Sequence, residues 1–354
     1  MQKESTFYCP DCDDGSDAPH SLNRRAFVRR LGGGAAVALA TSPFSQAIAA
    51  AAKAGVKADA KPAESLIREL HASLSAEQKA KLVLPWDHQI KKGQLSRLGA
   101  YNSAFGGNRI GVEYTKPQQE LVRRALRSIL SDDEAYERIS RNGKWDSSGS
   151  FEGCGATLFG DPSGDKEFAW LFTGHHLTLR CDGNSMPGAA FGGPIYYGHR
   201  AAGYADSNVY RYQTEQVQAV FDSLDSSQQK QAVSENPGDG QKGITFAKAD
   251  APRPGIAYRD LNAEQKAQVE KVMWTLLNPF RKEDGDEVMT IIKANGGMDQ
   301  IHLTFTRDGA SKDDKNVRWH FWRLDGPGFI WNYRVLPHVH CFVNITSEPS
   351  VAPA

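Results

Sequence analysis

Apolar positions recur at helical spacing in the first third of the chain, then alternate at strand spacing in the middle and near the end. Ser65 to Leu74, SLIRELHASL, sets Leu66, Leu70 and Leu74 on one helical face. Pro117 stands in the first turn of a second helix that runs on through LVRRALRSIL, and Asn142-Gly143 ends the helical region. From Gly153 to Tyr212, aromatic and β-branched runs are broken by DPSGD, CDGN, MPG and FGGP, the turn chemistry of antiparallel strands. Helices are predicted again from Thr214 to Glu235, then a loop or hinge from Asn236 to Pro254, and a helical pair over Ala263 to Leu276 and Asp286 to Ala294. The last predicted strands are Ile301 to Thr306, Val317 to Leu324, Phe329 to Val335 and His338 to Ile345.

Two patterns echo along this layout. LSAEQKAKL at Leu74 and LNAEQKAQV at Leu261 share a helix-start signal, Ser or Asn followed by Glu about three positions on, with LDSSQQKQAV at Leu224 a weaker copy. His176-Leu177-Thr178-Leu179 before Asp182-Gly183 matches His302-Leu303-Thr304-Phe305 before Asp308-Gly309. The expectation is an α+β fold, helices packed on a mainly antiparallel sheet, with an internal pseudo-duplication within a single domain over residues 64–345 and a flexible tail over 346–354.

Charge and the amino-terminal segment change this picture in two ways. The 354 residues carry 42 acidic and 42 basic side chains, and nothing in that balance points to nucleic acid. No apolar run approaches the roughly 20 residues that span a bilayer. Asn23-Arg24-Arg25-Ala26-Phe27-Val28-Arg29, the short apolar LGGGAAVALA and the small residues Ala47-Ile48-Ala49 resemble a twin-arginine export signal over residues 1–49, followed by a linker over 50–63. The expected first partner is therefore the twin-arginine export machinery, and the expected location periplasmic or extracellular. Cys9 and Cys12 form only half of a zinc knuckle and lie in that leader; Cys154, Cys181 and Cys341 remain, enough for one disulfide of undetermined pairing.

Candidate chemistry rests on histidine. In a strand, residues two apart face one way, so His338 and His340 in LPHVHCFVNI present two imidazoles on one face, with Val339 and Cys341 on the other. In GHHLTL the same alternation puts His175 on the apolar side with Leu177 and Leu179, and His176 on the polar side with Thr178 and Arg180. His176 then completes a three-histidine site if the strands are neighbours, with His175 or His199 as a fourth ligand or an orienting group. Asp182, Asp325 and Glu167 are candidate general acids or bases that read first as turn residues, and Cys341 or Ser185 is a nucleophile only with a base in reach. GxSxG, P-loop and GxGxxG signatures do not occur. Trp170, Trp319, Trp322 and Trp331 read as core.

The leader, Phe159-Gly160-Asp161-Pro162, WLFTGHHLTL from Trp170, the FGGP turn, Asp325-Gly326-Pro327 and Pro337-His338-Val339-His340 together resemble an exported bacterial family catalogued as domain of unknown function thirty-five hundred. That resemblance implies a shared architecture and a shared histidine-bearing site, without a named reaction. The resulting expectation is an exported metalloenzyme, hydrolytic or oxidative, that holds zinc, copper or iron and acts on a small organic substrate. Its rival is an exported ligand-binding protein whose histidines are structural.

Overall fold

A computed structural model describes residues 62–234, 246–247, 251–306 and 319–347; the proposed leader, most of the linker and the end of the tail lie outside them. The helices are α1 (Ala63–Ser73), α2 (Ala76–Leu82), α3 (Ile110–Glu113), α4 (Lys116–Ser128), α5 (Asp133–Ser140), α6 (Arg211–Ser223), α7 (Ser226–Ala232), α8 (Ala263–Leu277) and α9 (Lys282–Ala294). The strands are β1 (Val83–Leu84), β2 (Gln89–Lys91), β3 (Gln94–Leu95), β4 (Gly155–Gly160), β5 (Phe168–Gly174), β6 (Leu177–Cys181), β7 (Ile195–Ala202), β8 (Ile256–Ala257), β9 (His302–Thr306), β10 (Phe321–Gly326), β11 (Phe329–Arg334) and β12 (His338–Ile345). The expected α+β class is the one observed.

Helix starts follow the predicted chemistry with one change. Ser75, Thr115, Asp225 and Asn262 each cap a helix, and the residue that closes the box is glutamine in every case, Gln78, Gln118, Gln228 and Gln265, not the glutamate of the predicted signal. A neutral amide both donates and accepts, so these glutamines also join helices. Gln78 donates to the Gln118 side chain at 2.8 Å and Gln118 to the Ser73 carbonyl at 2.9 Å. Gln228 and Gln265 pair at 3.2 Å, and Gln265 donates to the Ser223 carbonyl at 2.8 Å.

One ten-stranded sheet, ordered β1-β4-β5-β6-β7-β12-β11-β10-β9-β8, dominates the described residues. Every pairing in it is antiparallel except β1 with β4. Two four-strand meanders, β4 to β7 and β9 to β12, meet where β7 pairs with β12. The HLT echo falls on unlike places: His176 precedes the third strand of the first meander, whereas His302 opens the first strand of the second.

The sheet has two chemically different faces. On one, Leu158, Trp170, Phe172, Leu179, Tyr197, Cys341, Tyr333, Trp331, Trp322 and Phe305 join the main core together with the inward residues of the helices. All four predicted core tryptophans are fully buried. On the other face one registered row runs Thr173, Thr178, Tyr196, Phe342, Asn332, Arg323 and Thr304, and the next runs Gly198, His340, Arg334, Phe321 and Thr306. That second face carries two smaller apolar clusters, around Phe159 and Leu171 and around Ile330 and Phe342, with buried polar groups between them whose burial is costly unless they are paired. Cys154, Cys181 and Cys341 are buried free thiols, so none of the three forms the disulfide that export made an option. No helix among the described residues is long and apolar enough to cross a membrane.

Candidate metal centre

His175 and His176 do not lie in a strand. Gly174 pairs with Leu177, so the two histidines are the turn that joins β5 to β6, and His176 takes φ 55°. A two-residue connection needs left-handed backbone, and strand alternation does not run through it. The predicted facing of Leu177, Leu179, Thr178 and Arg180 holds beyond the turn, but the predicted split of His175 to the apolar side and His176 to the polar side does not: the two rings lie together beside Asp146.

His338 and His340 share a face of β12, as their spacing predicts, with Val339 and Cys341 on the core side. Register supplies the rest. Leu177 pairs with Tyr197 and His340 with Gly198, so the row that passes through His340 continues over Gly198 to the turn residue His176. A Cβ on Gly198 would lie 2.3 Å from the Val339 carbonyl oxygen and 3.2 Å from the His340 ring, and its absence lets the imidazoles meet across β7.

At that meeting point Nε2 of His338 lies 3.1 Å from Nε2 of His176 and 3.1 Å from Nε2 of His340. Protonation is decided by what each ring bonds elsewhere. Nδ1 of His176 is 2.6 Å from Asp146 Oδ2. Burial works against ionisation of Asp146, but the Arg141 guanidinium, the hydrogen bond from His176 and the nearby imidazoles hold its carboxyl well below the usual range. An ionised carboxylate only accepts, so His176 donates from Nδ1 and keeps its Nε2 lone pair. Arg334, which can only donate, places Nη2 2.7 Å from Nε2 of His340 and 3.2 Å from Nε2 of His338, so those nitrogens are acceptors too. Burial, then the Arg334 charge and the neighbouring imidazoles, pushes the His340 pKa far down; burial does the same to His176 against the pull of Asp146. Three unprotonated nitrogens thus converge within a side chain's reach of one point, all on residues no more than 6% exposed.

The other two candidate histidines are spoken for differently. Nδ1 of His175 accepts from the Ser147 amide at 3.2 Å, and its ring lies against His176 with centroids 3.8 Å apart and planes tilted by 40°. Asp146, His175 and His176 form a second group of close donor atoms. Nδ1 of His199 accepts from the Val209 amide at 3.1 Å, leaving Nε2 as the donor, 3.7 Å from Asp146 Oδ1. Burial holds the His199 pKa down to about 4. In these tautomers both rings orient neighbours and present no lone pair to the convergence point.

A loop missed by sequence reasoning builds this arrangement. Arg141 is 1% exposed and donates to the carbonyls of Gly198 at 2.9 Å, His175 at 3.0 Å and His176 at 2.5 Å, besides pairing with Asp146 at 3.5 Å. Ser148 Oγ accepts from the His175 amide and Asn102 Oδ1 from the His176 amide. Five of the seven described non-glycine residues with positive φ are Arg141, Asn142, Trp145, Asp146 and His176, so backbone strain is concentrated here. Asn142-Gly143 read as a helix stop; nothing in its spelling shows that Asp146 four residues later would reach His176.

The other candidate chemistry is placed elsewhere. Asp182 accepts from the Asn184 and Met186 amides in its turn, Asp325 pairs with Arg253 at 2.9 Å, and Ser185 ties Phe168 to Asp182. Cys341 lies on the core side, and burial pushes its thiol up to about 12. No curated protein and no solved structure matches the chain. A family model described as a protein of unknown function, DUF3500, matches residues 57–346, and the chain belongs to that family.

Proposed function

We propose that the protein is an exported metalloenzyme that holds a transition-metal ion on Nε2 of His176, His338 and His340 and acts on a small organic substrate. The carrying observation is the triangle of acceptor nitrogens, with two sides of 3.1 Å. Lone pairs repel at that distance unless a cation lies between them, and the nitrogens of a tetrahedral ion with bonds of about 2.0–2.1 Å are about 3.3 Å apart. Arg334 Nη2 is directed at two of the three nitrogens, and a bound ion would take the place of those hydrogen bonds, since each ring nitrogen has one lone pair. Asp146 fits the orienting carboxylate behind a metal-ligating histidine, with Arg141 and His199 supporting it in turn.

Three imidazoles leave positions for substrate or water, as catalytic sites do. The ion would supply Lewis acidity and a water of lowered pKa if zinc, or electron transfer if copper or iron, and an all-imidazole set suits each of them. The chain's own part is to keep His176 and His340 neutral by burial and to fix the direction of His176 through the Asp146 loop. The Arg24-Arg25 leader supports export, since leaders of that kind carry folded proteins, often ones that acquire a cofactor before they cross.

Metal analysis of protein purified after native export tests the reading. The expected result is about one ion per chain, lost together with thermal stability in a His338→Ala, His340→Ala double variant that still folds. Metal-free wild-type protein, or a double variant with undiminished metal, would sink it. The rival, a binding protein with structural histidines, draws on the near-complete burial of all three rings; it predicts no metal dependence of any activity.

A further inference from the structure

A groove of about 380 Å³ opens between α8 and α9, and none of the five candidate histidines lines it. Lys271, Trp274, Thr275 and Asn278 follow one another at i, i+3, i+4 and i+7, so α8 and its C-cap present one continuous stripe to the groove. Gly285 of α9 supplies the facing wall. A Cβ there would lie 2.9 Å from Cζ3 of Trp274, so the edge of the indole is seated against the α9 backbone. The Leu130–Phe280 bridge and the bond from the Ser131 amide to the Pro279 carbonyl, 3.1 Å, tie the loop after α4 to the link between the two helices and bring Ser131 to the same groove.

Trp274 is 41% exposed, the largest of the exposed apolar side chains among the described residues. A half-open indole seated on a neighbouring helix and facing a concavity of ligand size offers a flat, pre-oriented stacking surface. Charge narrows what would stack there. Three cations, Lys271, Arg281 and Lys282, line the groove, and no carboxylate does. Arg281 is paired with Asp284 and Glu64, and Lys282 with Asp286, whereas Lys271 has no carboxylate partner among the described residues. The last carbonyls of α8 do not oppose an anion, because those of Thr275, Leu276 and Leu277 already accept from Gln213 at 3.3 Å, Tyr197 at 2.8 Å and the Phe280 amide at 2.9 Å. A sugar would also stack on tryptophan, but its hydroxyls need acceptors, and the lining offers no carboxylate to them.

We infer that this groove is a second binding site, and that it takes a small aromatic carboxylate, with the ring stacked on Trp274 and the carboxylate on Lys271 Nζ. It shares no residue with the histidine cluster, so it stands or falls independently of the metal reading.

Ligand-observed NMR titration of full-length protein with 2-naphthoate tests it, against three comparison ligands. The neutral 2-naphthamide lacks the charge, octanoate lacks the ring, and glucose represents the sugar class. 2-Naphthoate should bind, the amide about threefold more weakly, as suits one solvent-exposed cation, and octanoate more weakly still. Trp274→Ala should weaken 2-naphthoate by about tenfold or more, and in Lys271→Gln the acid and the amide should bind alike. Both side chains are exposed, so an unchanged melting temperature would show that each variant keeps the fold. No binding of 2-naphthoate by the wild type, or binding unchanged in folded Trp274→Ala, overturns the site. Octanoate or glucose bound more tightly than 2-naphthoate overturns the aromatic assignment, and a preference for the acid that persists in Lys271→Gln overturns the role of Lys271.

Discussion

Asp146 decides which nitrogen of His176 faces the other rings. Its ionised oxygen accepts a hydrogen bond from Nδ1–H, and Arg141 keeps it ionised despite burial. Asp146→Asn removes that preference, because an amide can offer a hydrogen to Nδ1 and so place the ring proton on Nε2. Metal affinity should fall about 10–100-fold, the range for losing an orienting partner, as measured by competition with a chelator. An unchanged affinity would mean that the tautomer of His176 is set elsewhere. The same exchange should leave the helices intact, since Asp146 caps none of the labelled elements and, among the described residues, bonds to or pairs with His176, His199, Arg141 and the Arg200 amide.

At the scale of elements, the site depends on how closely β7 lies against β12. Gly198 sits between the turn histidine and His340, its carbonyl accepts from Arg141, and its missing side chain is the clearance for the ring. Gly198→Ala forces a methyl group against the Val339 carbonyl, so the strands must separate. A cost of about 1–3 kcal/mol is expected, the usual range for overpacking, read as a lower urea midpoint. Metal affinity should fall with it, because His340 moves when β12 does; a stability loss with unaltered affinity would show that the strands slide without moving the ring. The HxH pair on β12 and the alternation of β6 beyond its turn were legible from period two alone. The HH turn was not, because a turn is set by where a hairpin closes, and that depends on which residues of β5 and β6 pair.

For the whole molecule, three imidazoles with depressed pKa values, two of them buried and His199 partly so, make stability depend on pH. His176, His340 and His199 titrate lower in the folded chain than the usual value near 6.5 in an unfolded one. Below about pH 6.5 the unfolded chain therefore binds protons that the folded chain refuses, so stability falls as pH drops and is fully present above that value. Asp146, also depressed, adds loss in the same direction at still lower pH. Metal-free protein should show a melting temperature that declines steadily from pH 7 to pH 5, and the His338→Ala, His340→Ala double variant a shallower decline. A flat profile in the metal-free wild type would contradict the burial of neutral rings. Added zinc should raise the melting temperature at pH 7, by about 2.7 kcal/mol of stability at a hundredfold excess over its dissociation constant, and by progressively less as protons compete for the same nitrogens.

The order of helices and strands, the capped helix starts, the core tryptophans and the shared facing of His338 and His340 were determined by the sequence itself, because each follows from residues within a few positions of one another. Which histidines meet was decided only by the tertiary structure. His176 and His338 are 162 residues apart, and they touch because β7 lies between β6 and β12 with a glycine at the crossing. Asp146, Arg141 and Arg334 entered the site for the same reason: a long-range register and a left-handed loop carry them there, and neither leaves a local period in the chain. Local spacing fixes the direction of a side chain, whereas the partner it meets depends on sheet order, which is settled by the packing of the whole domain.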